Sequence, residues 1–319
     1  MEFVILTLII LVVLTLLISL YAFFEAFYFS KKRIEIPFSL PNEPQYDSKR
    51  EFMSSLIKDV KQRPYESIYI TSHDGLKLFG RYYHIDDNAP IHIQFHGYKG
   101  SGLRDMCGGN KITHLANHNS LMVDQRSHGL SEGTIITFGI KERYDCLKWI
   151  EYVNKRFGND KQIVLSGVSM GAATVLMASN LDLPSNVKCI IADCPYSSPK
   201  EIIMKFTKDR KLPPKILYPF IYLGALLFAK LKIDKNITAV KAVKNSKVPI
   251  LLIHGTVDEL VPYTMSEDIK KANPEMVHLE LFENAHHGLC YILDPDRYIN
   301  ISNEFLNNVL NKEKKCLEN

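Results

Sequence analysis

Beyond Pro64 the sequence repeats one arrangement: short apolar runs rich in Ile, Leu and Val, separated by stretches with helical periodicity. The runs fall at residues 91–95, 120–123, 162–165, 187–192, 248–253 and 277–282, and the helical stretches at 142–156, 170–179, 265–272 and 297–310. Runs of that length bounded by turn signals read as strands. Ahead of them, residues 67–71 and 76–83 flank His73-Asp74-Gly75, where Asp-Gly marks a hairpin. An antiparallel start followed by alternating strand and helix specifies an α/β chain with a doubly wound, mainly parallel sheet. No internal repeat or low-complexity segment interrupts it. At 319 residues the chain is long enough to bury a large core, and 46% hydrophobic with 23% charged residues excludes long disordered tracts. Lys and Arg number 39 against 35 Asp and Glu, a balance without the basic footprint that a nucleic-acid partner requires.

Residues 3–24 carry no charge, and Thr7, Thr15 and Ser19 are the only aliphatic hydroxyls among them. Twenty-two such residues match the roughly 20 that cross a hydrocarbon core as a helix. Tyr21, Tyr28 and neighbouring Phe residues suit the aromatic belt, and Lys31-Lys32-Arg33 follows. A cleaved signal peptide would want positive charge before a shorter run and a small-residue cleavage site, whereas Glu2 precedes this one. Residues 1–30 are therefore expected to be an uncleaved, single-pass transmembrane anchor. The basic cluster then places the following body on the cytoplasmic side. Residues 31–66 read as a tether, with Pro37, Pro41 and Pro44, and an amphipathic juxtamembrane helix over 47–63. That helix is capped by Asp47 or Ser48 and carries Phe52, Leu56 and Val60 on one face. It either packs on the body, the favoured reading, or lies on the membrane. The six cysteines, Cys107, Cys146, Cys189, Cys194, Cys290 and Cys316, form no C-x-x-C pair and read as reduced, mostly buried thiols.

In a sheet of this kind the chemistry lies beyond the carboxyl ends of the strands. After the run at 162–165 stands Gly167-Val168-Ser169-Met170-Gly171, a sharp strand-to-helix turn that lifts a serine hydroxyl above the sheet. A serine nucleophile needs a base, and the base needs an orienting carboxylate. The run at 248–253 ends in His254-Gly255-Thr256-Val257-Asp258, and the run at 277–282 in Glu283-Asn284-Ala285-His286-His287-Gly288. The order Ser169, Asp258, then histidine is that of nucleophile, acid and base on such a sheet. His286 and His287 point differently, so only one can be the base. The oxyanion hole combines the N–H after the serine, from Met170, with one after an earlier strand; in His96-Gly97-Tyr98-Lys99-Gly100-Ser101 the candidate is Tyr98. His96 and His254 read as loop braces.

These motifs, with Asp124-Gln125-Arg126-Ser127-His128-Gly129-Leu130-Ser131, resemble those of the α/β-hydrolase superfamily. Within it, the chain is most similar to bacterial membrane-anchored serine hydrolases of the serine-aminopeptidase-like and monoglyceride-lipase-like branch. The resemblance covers residues 67–319 and implies an α/β-hydrolase fold: a mostly parallel, doubly wound sheet with an antiparallel N-terminal hairpin, a helical lid insertion at about 196–246, and one preceding transmembrane helix. It implies nucleophile Ser169, acid Asp258 and base His287, and a structural role for the 124–131 motif near the oxyanion hole. Residues 216–229, uncharged but containing Pro219 and Gly224, are too few to span a bilayer; they are expected to wall the substrate pocket as a lid, the alternative being a plain helical excursion that closes the core.

His114 and His118 have metal-ligand spacing but no third ligand, and no glycine-rich phosphate loop is present, so no metal or cofactor is expected. Cys290 follows the base rather than standing on the turn, and reads as packing. The sequence thus points to a membrane-anchored serine hydrolase that cleaves an ester, lipid-like or with a small acyl group, through an acyl-enzyme. Aminopeptidase, thioesterase or acyltransferase action would use the same turn. A catalytically silent binding protein of this fold at the membrane is the alternative from another class.

Overall fold

The computed structural model describes residues 1–29 and 44–311. The chain opens with helix α1 (Glu2–Ala26), and after a 3₁₀ turn (Pro44–Lys49) continues through α2 (Arg50–Gln62) into β1 (Glu66–Thr71), β2 (Lys77–Tyr83) and β3 (Ile91–Phe95). Then come α3 (Gly102–Asp105), α4 (Cys107–Leu115), β4 (Asn119–Asp124), α5 (Glu142–Phe157), β5 (Ile163–Val168), α6 (Met170–Ala178) and β6 (Val187–Asp193). An excursion of α7 (Pro199–Asp209), α8 (Pro214–Phe228) and α9 (Ala239–Val243) precedes β7 (Ile250–Gly255), α10 (Thr264–Ala272), β8 (Val277–Phe282), α11 (Cys290–Leu293) and α12 (Pro295–Leu310).

The eight strands form one sheet in the order β1-β2-β4-β3-β5-β6-β7-β8. Gly75, at φ 91°, takes the left-handed turn that joins β1 and β2 antiparallel, and Ser72 N–H closes it on Leu76 O at 2.8 Å. β2 also runs antiparallel to β4, and every later pair is parallel. The central strands β3, β4 and β7 are buried at every position, so they lack the polar–apolar alternation of a half-exposed strand. One face packs Trp149, Ile150, Val153 and Leu176 from α5 and α6; the other packs Met53, Ile112, Tyr291 and Leu306 from α2, α4, α11 and α12. Of the two readings open for the juxtamembrane helix, the body-packed one holds: Met53, Leu56, Ile57 and Val60 of α2 are buried. The helix begins at Arg50 rather than Asp47 and has no side-chain cap, because the preceding turn is 3₁₀.

The end of α1 is part of the body. Phe27 is 0% exposed, its ring edge-on to Phe138 at 5.7 Å. Ile136 N–H donates to Phe27 O at 2.8 Å, Phe29 N–H donates to Thr134 O at 2.8 Å, and Tyr28 pairs with Ile135. Aromatic residues after an apolar run look alike in sequence whether lipid headgroups or a protein core covers them; here the core takes Phe27. The basic cluster Lys31-Lys32-Arg33, Pro37, Pro41 and Cys316 lie outside the described residues. The five described cysteines are free and buried.

Candidate active site

β5 runs to Val168, three residues further than the apolar run alone indicates, and delivers Ser169 into a turn with φ 55° and ψ −115°. A left-handed, non-glycine residue at a strand–helix junction stores on the order of 1–3 kcal/mol of strain. The flanking glycines make that turn possible. A Cβ on Gly167 would run into the backbone of Gly171, and a Cβ on Gly171 into the carbonyl of Phe95 at the end of β3. Ser169 N–H is held by Asp193 O of the neighbouring strand at 2.8 Å. The hydroxyl is thus placed by backbone on three strands before any side chain acts.

Asp258 lies just after β7, 6% exposed, and His287 after β8. His287 Nδ1 and Asp258 Oδ2 are 2.7 Å apart. The other carboxylate oxygen accepts from Leu260 N–H at 3.0 Å and Val261 N–H at 2.8 Å. His254 Nε2 stands 3.2 Å from Oδ2 and its Nδ1 2.7 Å from Ser266 Oγ, so His254 braces this loop. Burial pushes the Asp258 carboxyl up, but the charge of His287 and the hydrogen bonds from both histidines outweigh it and hold the group well below the usual carboxylate range. An ionised carboxylate only accepts, so His287 Nδ1 donates, and in the neutral imidazole this leaves the lone pair that a base requires on Nε2. His286 lines the same cavity, and the bond to Asp258 is made by His287.

The loop after β3 approaches the serine: a Cβ on Gly97 would be 3.5 Å from that of Ser169. Its shape is fixed from below. His96 Nδ1–H donates to Gly97 O at 2.8 Å while its Nε2 accepts from Gln125 N–H at 3.0 Å, and Lys99 N–H donates to His128 Nε2 at 3.1 Å. Burial pushes the His128 imidazole down to about 3, which keeps that acceptor neutral. The 124–131 segment therefore braces this loop, and Arg126, buried between Asp74 at 2.9 Å and Asp145 at 2.6 Å, ties it to the hairpin and α5. Tyr98 follows Gly97 and lines the cavity, its ring stacked on Phe138 at 5.2 Å and its hydroxyl donating to Ala26 O at 2.8 Å. Met170 opens α6, where helix N–H groups point outward.

Ser169, Tyr98 and His287 face one cavity of about 710 Å³, with Asp258 buried behind the imidazole. Among the described residues no hydrogen bond joins Ser169 to His287; His287 Nε2 instead has Cys194 Sγ at 3.9 Å. Such bonds are often long before substrate binds. Cys194, expected only as a buried thiol, and Asp193 stand beside the site without having been singled out as site residues in the sequence. The usable signal was their position immediately after the run at 187–192, at the same sheet edge. Burial raises the Cys194 thiol well above its ordinary range, so it is a neutral neighbour rather than a nucleophile. Burial also raises Asp193 to about 6, against the charge of His254 and a 3.1 Å bond from Tyr298 OH. Asp193 thus pairs with a tyrosine and Asp258 with the imidazole.

The insertion departs from expectation in one respect. Its contribution to the cavity is Lys205, Phe206 and Asp209 of α7, not the apolar residues of α8. α8 packs instead along α1: a Cβ on Gly224 would run into the Ser19 carbonyl, and Phe228 meets Phe23 at 5.7 Å. Of the histidines with metal-ligand spacing, His118 is hydrogen-bonded to His92 at 2.9 Å.

A parallel sheet with a left-handed serine at the head of the helix after β5 is that of an α/β-hydrolase-type hydrolase. The chain belongs to the prolyl oligopeptidase family, whose model matches residues 137–313. It is similar to the uncharacterized protein YqkD of Bacillus subtilis, 25% identical over 263 residues that span 80% of this chain and 83% of that one. Among solved structures it is similar to the esterase Pf2001 of Pyrococcus furiosus, at 25% identity and a TM-score of 0.64 over 86% of this chain and 97% of that one. It shares the fold of Est1E from Butyrivibrio proteoclasticus, solved with ferulic acid bound, at 19% identity and a TM-score of 0.59 over 77% of this chain and all of that one. The superfamily expected from the motifs is the one found; the matching family model is that of the prolyl oligopeptidases.

Proposed function

We propose that this protein is a membrane-anchored serine hydrolase that cleaves an ester, lipid-like or with a small acyl group. The observation that carries the reading is the 2.7 Å bond between His287 Nδ1 and an ionised Asp258, in one cavity with Ser169 on its strained turn. Ser169 Oγ attacks the ester carbonyl as its proton passes to His287 Nε2. The N–H groups of Tyr98 and Met170 receive the oxyanion. Collapse expels the alcohol, protonated by His287, and leaves an acyl-Ser169. Water then attacks, gives a proton to His287, and releases the acid and the free serine. The Pf2001 neighbour being an esterase supports ester substrates.

Anchoring rests on α1, a 25-residue helix with a mean hydropathy of 3.2 over its most apolar window. A cleaved signal would leave at a site beyond its apolar run, whereas Phe27 just past this run belongs to the core. The deciding experiment treats the full-length protein in detergent micelles with a fluorophosphonate probe, beside Ser169→Ala. Labelling of wild type alone is expected. A folded wild type that fails to label, and fails to cleave p-nitrophenyl esters of graded chain length, overturns the reading.

A further inference from the structure

We propose that α8 enters the bilayer beside α1, so that the two helices form one membrane-embedded pair. This rests on the membrane reading of α1 given above. One side of the C-terminal half of α1 is covered by protein: Ser19 and Phe23 are buried, Thr15, Leu20, Ala22 and Ala26 partly so, and residues 1–14 are exposed all round. That side is mostly small residues at helical spacing, and it receives Gly224 so closely that no side chain fits between the backbones. Close approach through small residues is how helices associate in lipid, where apolar bulk gives no preference for protein over solvent.

Depth follows from the geometry. The 22-residue apolar run is about 33 Å long as a helix, close to the hydrocarbon thickness of about 30 Å. Ser19 lies five residues before the end of that run, about 7–8 Å inside it. If the run spans, anything in contact with the Ser19 carbonyl is in the hydrocarbon as well. The alternative leaves only residues 1–14 to insert, about 21 Å of helix, which is too short.

The outward surface of α8 fits that position. Ile216, Leu226, Leu227 and Phe228 are exposed, and no charge stands among residues 216–229. At 15 residues the helix is too short to cross and suits a monotopic insertion. Basic residues flank its uncharged stretch 216–229 on both sides, with Arg210, Lys211 and Lys215 before and Lys230, Lys232 and Lys235 after. Their stems can lie along apolar surface while the charges reach anionic headgroups. α7, which contributes Phe206 to the cavity wall, immediately precedes α8, so this insertion sets the cavity at the membrane surface.

The test uses the full chain with Cys316→Ser, reconstituted in phosphatidylcholine–phosphatidylglycerol vesicles. Single cysteines are introduced as Leu11→Cys, Leu227→Cys or Asp160→Cys, labelled with an environment-sensitive fluorophore, and challenged with lipids bearing nitroxides on their acyl chains. Positions 11 and 227 are expected to be quenched several-fold more than position 160. Quenching at 11 without quenching at 227 overturns the proposal while leaving the anchor intact. Shielding of 227 that depends on protein concentration, with disulfide-linked dimers, overturns it in favour of a second copy. No quenching at 11 overturns the anchor reading and this inference with it. Gly224→Leu, checked for folding by near-ultraviolet circular dichroism, is expected to lower quenching at 227 and spare 11. Unchanged quenching at 227 overturns the pairing.

Discussion

Around Asp258 both carboxylate oxygens are engaged, by two backbone N–H groups on one side and two imidazoles on the other. Along the first half of α1 and the outer side of α8 the surface is apolar, and Ile5, Leu8, Leu11, Ile216 and Leu227 face outward. The first region is polar and buried, so its energetics depend on complete hydrogen bonding at low dielectric. The second is apolar and exposed, which a chain in water avoids over so large a continuous surface. The difference teaches that the two regions suit different surroundings: a hydrogen-bonded carboxylate and imidazole shielded from solvent at the sheet edge, and a helix pair whose outward surface is apolar.

Five substitutions sharpen or break that contrast. Ser169→Ala should lower kcat toward a p-nitrophenyl ester by about 10⁴-fold or more at unchanged thermal midpoint; retention of even a tenth of the activity would place the nucleophile elsewhere. Asp258→Asn should cost about 10³–10⁴ in kcat, because an amide no longer fixes the Nδ1–H tautomer of His287. His286→Ala, measured in parallel, should stay within about tenfold of wild type, and equal losses in the two would undo the assignment of the base. Phe27→Ala should destabilise the body by about 3–5 kcal/mol in detergent, while Leu11→Ala leaves unfolding unmoved. Similar denaturation midpoints for those two would mean that α1 hangs free of the body.

Asp193 supplies a test with a sign. Its folded pKa of about 6 stands above the ordinary 3.8, so its contribution to stability is fully present below about pH 4 and is lost as pH rises through 6. That displacement corresponds to about 3 kcal/mol. Asp193→Asn should therefore be more stable than wild type at pH 8 and gain nothing at pH 4. A gain at both pH values, in chemical denaturation, would show that ionisation is not the cause. The smallest effect is expected from Tyr98→Phe, which removes the hydroxyl bond to Ala26 O and should cost about 1 kcal/mol, with a modest loss of kcat if the oxyanion loop shifts.

The strands were legible because central, parallel strands are short apolar runs: the run at 91–95 coincides with β3, and that at 187–192 with all but the last residue of β6. The motif residues were legible because the turn chemistry is local: Gly167 and Gly171 are required by backbone clashes within a few residues or with the next strand. What escaped were pairings between distant segments. Neither Tyr98 on the end of α1 nor α8 on Ser19 leaves a trace in spacing. Residues 216–229 were expected to wall the pocket, and α7 lines it instead, since an apolar helix carries no mark of which apolar partner it meets.

The sequence by itself determined the sheet, the strained serine turn and the order of serine, aspartate and histidine at the strand ends, because these follow from periodicity, glycine sterics and the position of strand ends. Only the tertiary structure decided that His287 rather than His286 reaches Asp258, that Asp193 pairs with Tyr298, and that α1 shares its surface with the body and α8. Those outcomes turn on distances between side chains far apart along the chain, which are set by how the layers pack.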